Sequence, residues 1–223
     1  WTPRQSFALE QGDWSVTGMN PDGSAFEVLH RGRPAGSVNW KLLGMHNVQN
    51  ALAAIAAAHH AGVAPKLAMD ALDRFQGVKR RLEVRAEIDG VTVYDDFAHH
   101  PTAIASTLAG LRKRVDKARI IAVLEPRSFT MKSGVHRDTL AAALQDADRV
   151  FVYQAANVTW DVAGALHALG SRASVTRDIG QLVDSVSSEL QRDDHVLIMS
   201  NGGFGGFHDR LIERLERNAA PRC

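Results

Sequence analysis

The chain has 223 residues, 45% apolar and 23% charged, with a formal net charge of +1. That is enough apolar material for a packed core and excludes a disordered chain. No overall field points to nucleic acid or an anionic membrane, and no run is apolar for long enough to span a bilayer.

Residues 5–43 read as short alternating runs, "SFALE", "WSVTG", "AFEVLHRG" and "GSVNWKLLG", broken by "QGD", "NPDG" and "RGRPAG". These are hairpin signals. At Asn47 the period changes: "NVQNALAAIAAAHHAGV" puts Val48, Leu52, Ile55 and Ala56 on one face of an alanine-rich helix that stops at Gly62. His59 and His60 fall near its end as a solvated pair beside the helix dipole. A second helix, "PKLAMDALDRF", starts at Pro65. "RLEVRAEI" and "VTVYDD" form a hairpin around Asp89 and Gly90, and the domain boundary falls near residues 81–83.

From there strand and helix alternate. The strands are "VTVYDD", "RIIAVLE", "RVFVYQ", a weaker "ASVTR" and "HVLIMSN". Helices are predicted at about 101–116, 135–148, 161–169, 179–192 and 206–217. Apolar strands between amphipathic helices predict an α/β fold with a mostly parallel sheet covered on both faces. Ligands of such sheets bind beyond the C-terminal strand ends.

Those ends carry the polar sequence. Asp95, Asp96, His99 and His100 close the first parallel strand; capping of the next helix would account for one aspartate but not for the histidines. Adjacent histidines without cysteine or an H-x-x-x-H spacing do not make a zinc site. "EPRSFTMKSG" places Arg127, Ser128, Thr130 and Lys132 on a loop suited to a carboxylate or phosphate; an exposed basic loop is the alternative. "NGGFGGF" fails the dinucleotide pattern, because His208 stands where the third glycine belongs, and leaves a glycine-rich turn whose backbone can approach a ligand. In the first region "GMHNVQN" gathers His46, Asn47 and Asn50 at a helix start. Asn47 and Asn50 share a face, and a side-chain amide offers the donor and acceptor an adenine edge needs. Capping by Asn47 is the alternative.

"GMHNVQNALAAIAAA", "FQGVKRRLE", "YDDFAHHPTAI", "LEPRS" and "SNGGFGG", in this order, resemble the Mur ligases, the ATP-dependent amide ligases of bacterial cell-wall synthesis. Phe129 departs from the asparagine expected after "EPRS". The resemblance implies that residues 1–82 are the end of the central ATP-binding domain and residues 83–223 the Rossmann-like C-terminal domain. No G-x-x-x-x-G-K-[ST] loop occurs, so the phosphate cradle and the main Mg²⁺ ligands are expected upstream and no metal ligand within the chain. The chain is expected to be a piece of a longer protein, inactive alone. The implied reaction joins UDP-N-acetylmuramate to the tripeptide L-alanyl-γ-D-glutamyl-meso-diaminopimelate through an acyl phosphate. L-alanine as acceptor, or a non-catalytic Rossmann-like module, are the alternatives. For ATP, the resemblance implies Asn50 at adenine with His46 and Asn47 shaping the pocket, Arg81 at the phosphates and Asp96 at the ribose hydroxyls. It implies His99 and Arg127 in catalysis, with His100, Arg127, Ser128, Asn201, Gly202 and Gly203 at the acceptor. With Cys223 as the single cysteine, the chain fits a reducing cytoplasm.

Overall fold

The computed structural model describes residues 4–219. They fall into two compact units: one runs up to Gly77 and takes in Ala109–Arg114, the other comprises Val78–Leu108 and the chain from Val115 on. The sequence-based boundary lay at 82/83. The stretch 78–82 belongs to the second unit because Arg80 and Leu82 are hydrogen bonded into it.

The first unit is an antiparallel three-stranded sheet, β1 (Trp14–Thr17), β2 (Ala25–His30) and β3 (Arg33–Asn39), with helices α1 (Met45–His60) and α2 (Pro65–Asp73). Arg31 and Gly32, at φ 50° and 73°, make the two-residue turn between β2 and β3, the backbone sign that matches strand twist. Pro34 is tolerated because β3 is an edge strand with a bulge opposite. The core joins Trp14, Phe26, Val28, Val38 and Trp40 to Val48, Leu52 and Ile55 of α1 and Met69 of α2. Two expectations change. "SFALE" makes no strand, only a bridge from Phe7 to Trp14, because Ser6 is tied through N and Oγ to the Asp13 carboxylate in a closed loop. His60 is exposed, but His59 is only half-exposed: its ring packs edge-on to Trp14 and His30 at centroid distances of 5.2 and 5.0 Å.

The second unit holds a six-stranded sheet in the order β4-β5-β9-β6-β7-β8. The strands are β4 (Glu83–Ile88), β5 (Val91–Asp96), β6 (Ile120–Leu124), β7 (Arg149–Tyr153), β8 (Ala173–Thr176) and β9 (His195–Met199). β4 runs antiparallel to β5, joined through Asp89 and Gly90, both at positive φ. The other pairings are parallel. The long helices are α3 (Pro101–Val115), α7 (Ile179–Glu189) and α8 (Phe207–Ala219). Ile104, Leu108 and Leu111 of α3 and Phe207, Leu211 and Leu215 of α8 are buried, the stripes their spacing predicts.

The middle helices are shorter than predicted. The segment expected as one helix at 135–148 is α5 (Arg137–Ala143), and α4 (Phe129–Lys132) forms inside the expected loop, capped by Ser128. Gly134, at φ 74° against Trp160, separates them. The segment 161–169 is one turn, α6 (Val162–Ala165), followed by a 3₁₀ stretch, His167–Arg172. Among the described residues no helix is long and apolar enough to cross a membrane.

Leu52 is fully buried in the first unit's core, so Leu52→Ala is predicted to cost about 2–5 kcal/mol. Denaturant unfolding read by the fluorescence of Trp14 and Trp40, which share that core, measures it. A loss under roughly 1 kcal/mol would contradict the packing described.

Candidate functional site

Because β9, the last strand in the chain, is inserted between β5 and β6, three strand ends stand level: Asp96 and Leu124 both pair with Met199. The loops that follow begin at Phe97, Ser200 and Glu125, side by side on one rim. Ser200 N donates to Asp96 O at 3.1 Å and Glu125 N to Met199 O at 3.0 Å. Ser200 Oγ donates to the buried Glu125 carboxylate at 2.5 Å and accepts from Gly202 N at 3.0 Å.

Both aspartates lie beneath this rim. Asp96 is 3% exposed. Its Oδ2 accepts from Leu82 N and its Oδ1 from Ala98 N, both at 2.7 Å, with Thr107 Oγ1 at 3.5 Å. Both oxygens already accept a backbone N–H, so a ribose hydroxyl would have to share them. Asp95, 2% exposed, meets three cationic or titratable groups. Arg80 Nε lies at 3.2 Å and Arg85 Nη1 at 3.5 Å. His208 Nε2 lies 3.2 Å from Oδ1 but off the line of a hydrogen bond. Burial holds the His208 pKa below the ordinary histidine value; Asp95 pulls it up, and Arg85 and Arg80 push it down.

Arg80 binds more than Asp95. Its Nη2 donates to Ser200 O at 2.5 Å and Gly202 O at 2.9 Å, its backbone N to Glu83 Oε2 at 2.8 Å, and its carbonyl accepts from Phe97 N at 2.8 Å. Arg80 and Leu82 are both left-handed, at φ 59° and 50°. Arg81 stands between them, exposed, its guanidinium 5.6 Å from the Phe97 ring centre.

His99 is half-buried with Nδ1 2.9 Å from Phe97 O, which leaves Nε2 as the basic nitrogen when Nδ1 carries the proton. The exposed His100 packs edge-on to His136 at 4.3 Å. Arg127 is exposed, and among the described residues it has no hydrogen-bond or ion-pair partner. Its guanidinium lies over Gly202, where a Cβ would displace this exposed side chain, whereas Gly203 faces open space. Ser128 caps α4, accepting from Met131 N at 3.4 Å, so its hydroxyl is partly engaged. Asn201 keeps its Oδ1 buried and unpartnered. The second unit thus brings together Arg81, His99, His100, Arg127, Ser128, Asn201, Gly202 and Gly203 as residues of its rim loops.

In the first unit, Gly44, at φ 93°, precedes α1, and the His46 ring lies against it. Asn47 does not cap a backbone N–H; its Nδ2 donates back to Leu43 O at 2.8 Å. Asn50, one turn on, is exposed, and its amide has no hydrogen-bond partner among the described residues. Among the described residues no three His, Cys, Asp or Glu side chains gather as metal ligands would.

Residues 80–202 match the family model "Mur ligase, glutamate ligase domain". The chain belongs to the Mur ligase family. The matched segment begins and ends on residues that are hydrogen bonded to each other, Arg80 and Gly202. The chain is 51% identical over 216 residues to the UDP-N-acetylmuramate–L-alanyl-γ-D-glutamyl-meso-2,6-diaminoheptandioate ligase of Escherichia coli K12, covering 96% of this chain and 47% of that protein. It is 33% identical over 214 residues to the UDP-N-acetylmuramate–L-alanine ligase of Roseiflexus sp. RS-1, covering 90% and 46%. The crystal structure of a murein peptide ligase from Psychrobacter arcticus superposes with TM-score 0.70 at 37% identity, covering 96% of this chain and 46% of that one. The chain spans about half the length of the curated relatives it matches.

Sequence reasoning passed over Arg80, Glu125, Ser200, His136 and His208 in this Mur ligase rim. Arg80 was visible only as the neighbour of Arg81; its partners lie 120 and 122 residues away.

Because the His208 pKa is lowered in the fold, the folded protein takes up its proton less readily than the unfolded chain. Stability in the second unit is then complete above the ordinary histidine value of about 6.5 and falls as pH drops through it. His208→Gln is predicted to flatten that fall as pH drops below about 6.5. Native-state hydrogen exchange at β5 and β9 reads it; an unchanged slope in the variant refutes the assignment.

Proposed function

We propose that the full-length protein is a cytoplasmic ATP-dependent ligase that joins UDP-N-acetylmuramate to L-alanyl-γ-D-glutamyl-meso-diaminopimelate in peptidoglycan recycling. The observation that carries this reading is the gap between 51% identity to the tripeptide ligase and 33% to the L-alanine ligase, over similar shares of the chain. The first unit would then be the end of the central ATP-binding domain and the second the C-terminal domain that brings the acceptor.

Each residue has a part in this reading. ATP supplies the phosphoryl group that activates the lactyl carboxylate. The free amide of Asn50 suits an adenine edge, and His46 and Asn47 shape the surface beside it. The exposed Arg81 neutralises phosphate charge. Arg127, lacking a carboxylate partner of its own, takes a carboxylate of the tripeptide, while Ser128, His100 and the turn 201–203 line the same rim. His99 accepts the proton that the attacking amine must lose, at Nε2. Mg²⁺ would be held chiefly by residues outside this chain.

Phosphate release by the full-length protein with UDP-N-acetylmuramate, ATP, Mg²⁺ and tripeptide tests the assignment. Turnover with tripeptide but not L-alanine is expected, and Arg127→Ala should lower kcat/KM for the tripeptide by roughly 100-fold. Turnover with L-alanine alone would reassign the protein to the sister activity. Full affinity and activity in both Arg81→Ala and Arg127→Ala would remove the rim from the mechanism and favour a binding module.

A further inference from the structure

Of the two exposed arginines of the rim, Arg81 is carried by one, and Arg127 lies against the other, of two segments that meet at one side chain. Arg81 lies in a backbone stretch with left-handed residues on either side, Arg80 and Leu82. A stretch of that kind persists only where its surroundings fix it. Here Leu82 N is held by Asp96, Arg80 N by Glu83 and Arg80 O by Phe97 N. Arg127 lies on Gly202, whose carbonyl accepts from Arg80 Nη2 and whose N–H donates to Ser200 Oγ. The Arg80 guanidinium itself is aimed inward: Nε faces Asp95, and Nη2 bridges the carbonyls of Ser200 and Gly202.

We infer that Arg80 is a positioning residue that fixes the segment 80–82 and the turn 200–202 to each other, so that one clamp sets the placement of both Arg81 and Arg127. Arg80 touches neither substrate. Its planar fork is what the arrangement needs, because a single ammonium cannot face the Asp95 carboxylate and span two carbonyls with fixed geometry. Arg85 is the internal comparison: it also faces Asp95, at 3.5 Å, but its other partner is Asp209, away from the turn carbonyls. The inference rests on the reading in which Arg81 serves the nucleotide and Arg127 the acceptor.

The test uses the full-length protein and the variants Arg80→Lys, Asp95→Asn and Arg85→Lys. With Arg80→Lys the KM values of ATP and of tripeptide should rise together, each on the order of tenfold, because both cations lose their common support. Asp95→Asn, which releases the clamp from the other side, should do the same; Arg85→Lys should move neither. Arg81→Lys and Arg127→Lys should each shift only one KM. A lower melting temperature for Arg80→Lys with both KM values unchanged, or a shift in one alone, overturns the clamp. Hydrogen exchange supplies an arm independent of turnover: in Arg80→Lys the amides of Leu82 and Gly202 should lose protection together. If the wild type does not turn over the tripeptide, the functional reading falls, and the exchange result decides the clamp: joint loss supports it, and loss at one amide only refutes it.

Discussion

A carboxylate at 2% exposure must be neutralised where it stands, and the second unit is organised around meeting that demand at Asp95. Arg80, Arg85 and His208 reach it from the segment before β4, from β4 and from α8. Segments from the two ends of the unit's sequence thus converge on one side chain at the end of β5. Removing one member of such a buried pair typically costs about 3–5 kcal/mol, because the other charge is left uncompensated. The interaction adds little net stability over an apolar replacement; what it supplies is registry between loops that no strand joins.

Asp96 carries the same logic through the backbone. Two backbone N–H groups at 2.7 Å hold its oxygens, one from Leu82 and one from Ala98. The left-handed conformations at Arg80 and Leu82 cost roughly 1–3 kcal/mol each. Charge-assisted hydrogen bonds, worth about 1.5–3 kcal/mol apiece, are of the size needed to hold them. Asp96 thus helps to fix the backbone around Arg81.

This explains what was legible beforehand. β6 and β9 are buried almost throughout, so their apolar runs announced a covered sheet, and the Val48, Leu52 and Ile55 spacing announced α1. The glycine-punctuated stretches were less legible, since Gly134 and Trp160 divide α4 from α5 through a contact between residues far apart in the chain. The rim's position followed from the strand ends, but the division of labour on it did not. Arg80 and Arg81 are the same letter twice; only the bonds to Ser200 and Gly202 tell the inward side chain from the outward one. Likewise "DD" carries no sign that both carboxylates are internally engaged.

The chain's net charge is only +1, so it holds no broad positive field to draw in phosphates and carboxylates. Local availability of cations must do that instead. An acid left open about 4 Å from an exposed guanidinium would attract it by roughly 4 kcal/mol at the effective dielectric of a protein surface, enough to compete with an anionic ligand. The acids at the rim's strand ends are all withdrawn: Asp95 faces Arg80 and Arg85, Asp96 backbone N–H groups, and Glu125 the Ser200 hydroxyl. What remains outward is Arg81 and Arg127, each without a protein carboxylate among the described residues. Burying the negative charges, rather than adding positive ones, leaves these two guanidiniums uncompensated on the rim.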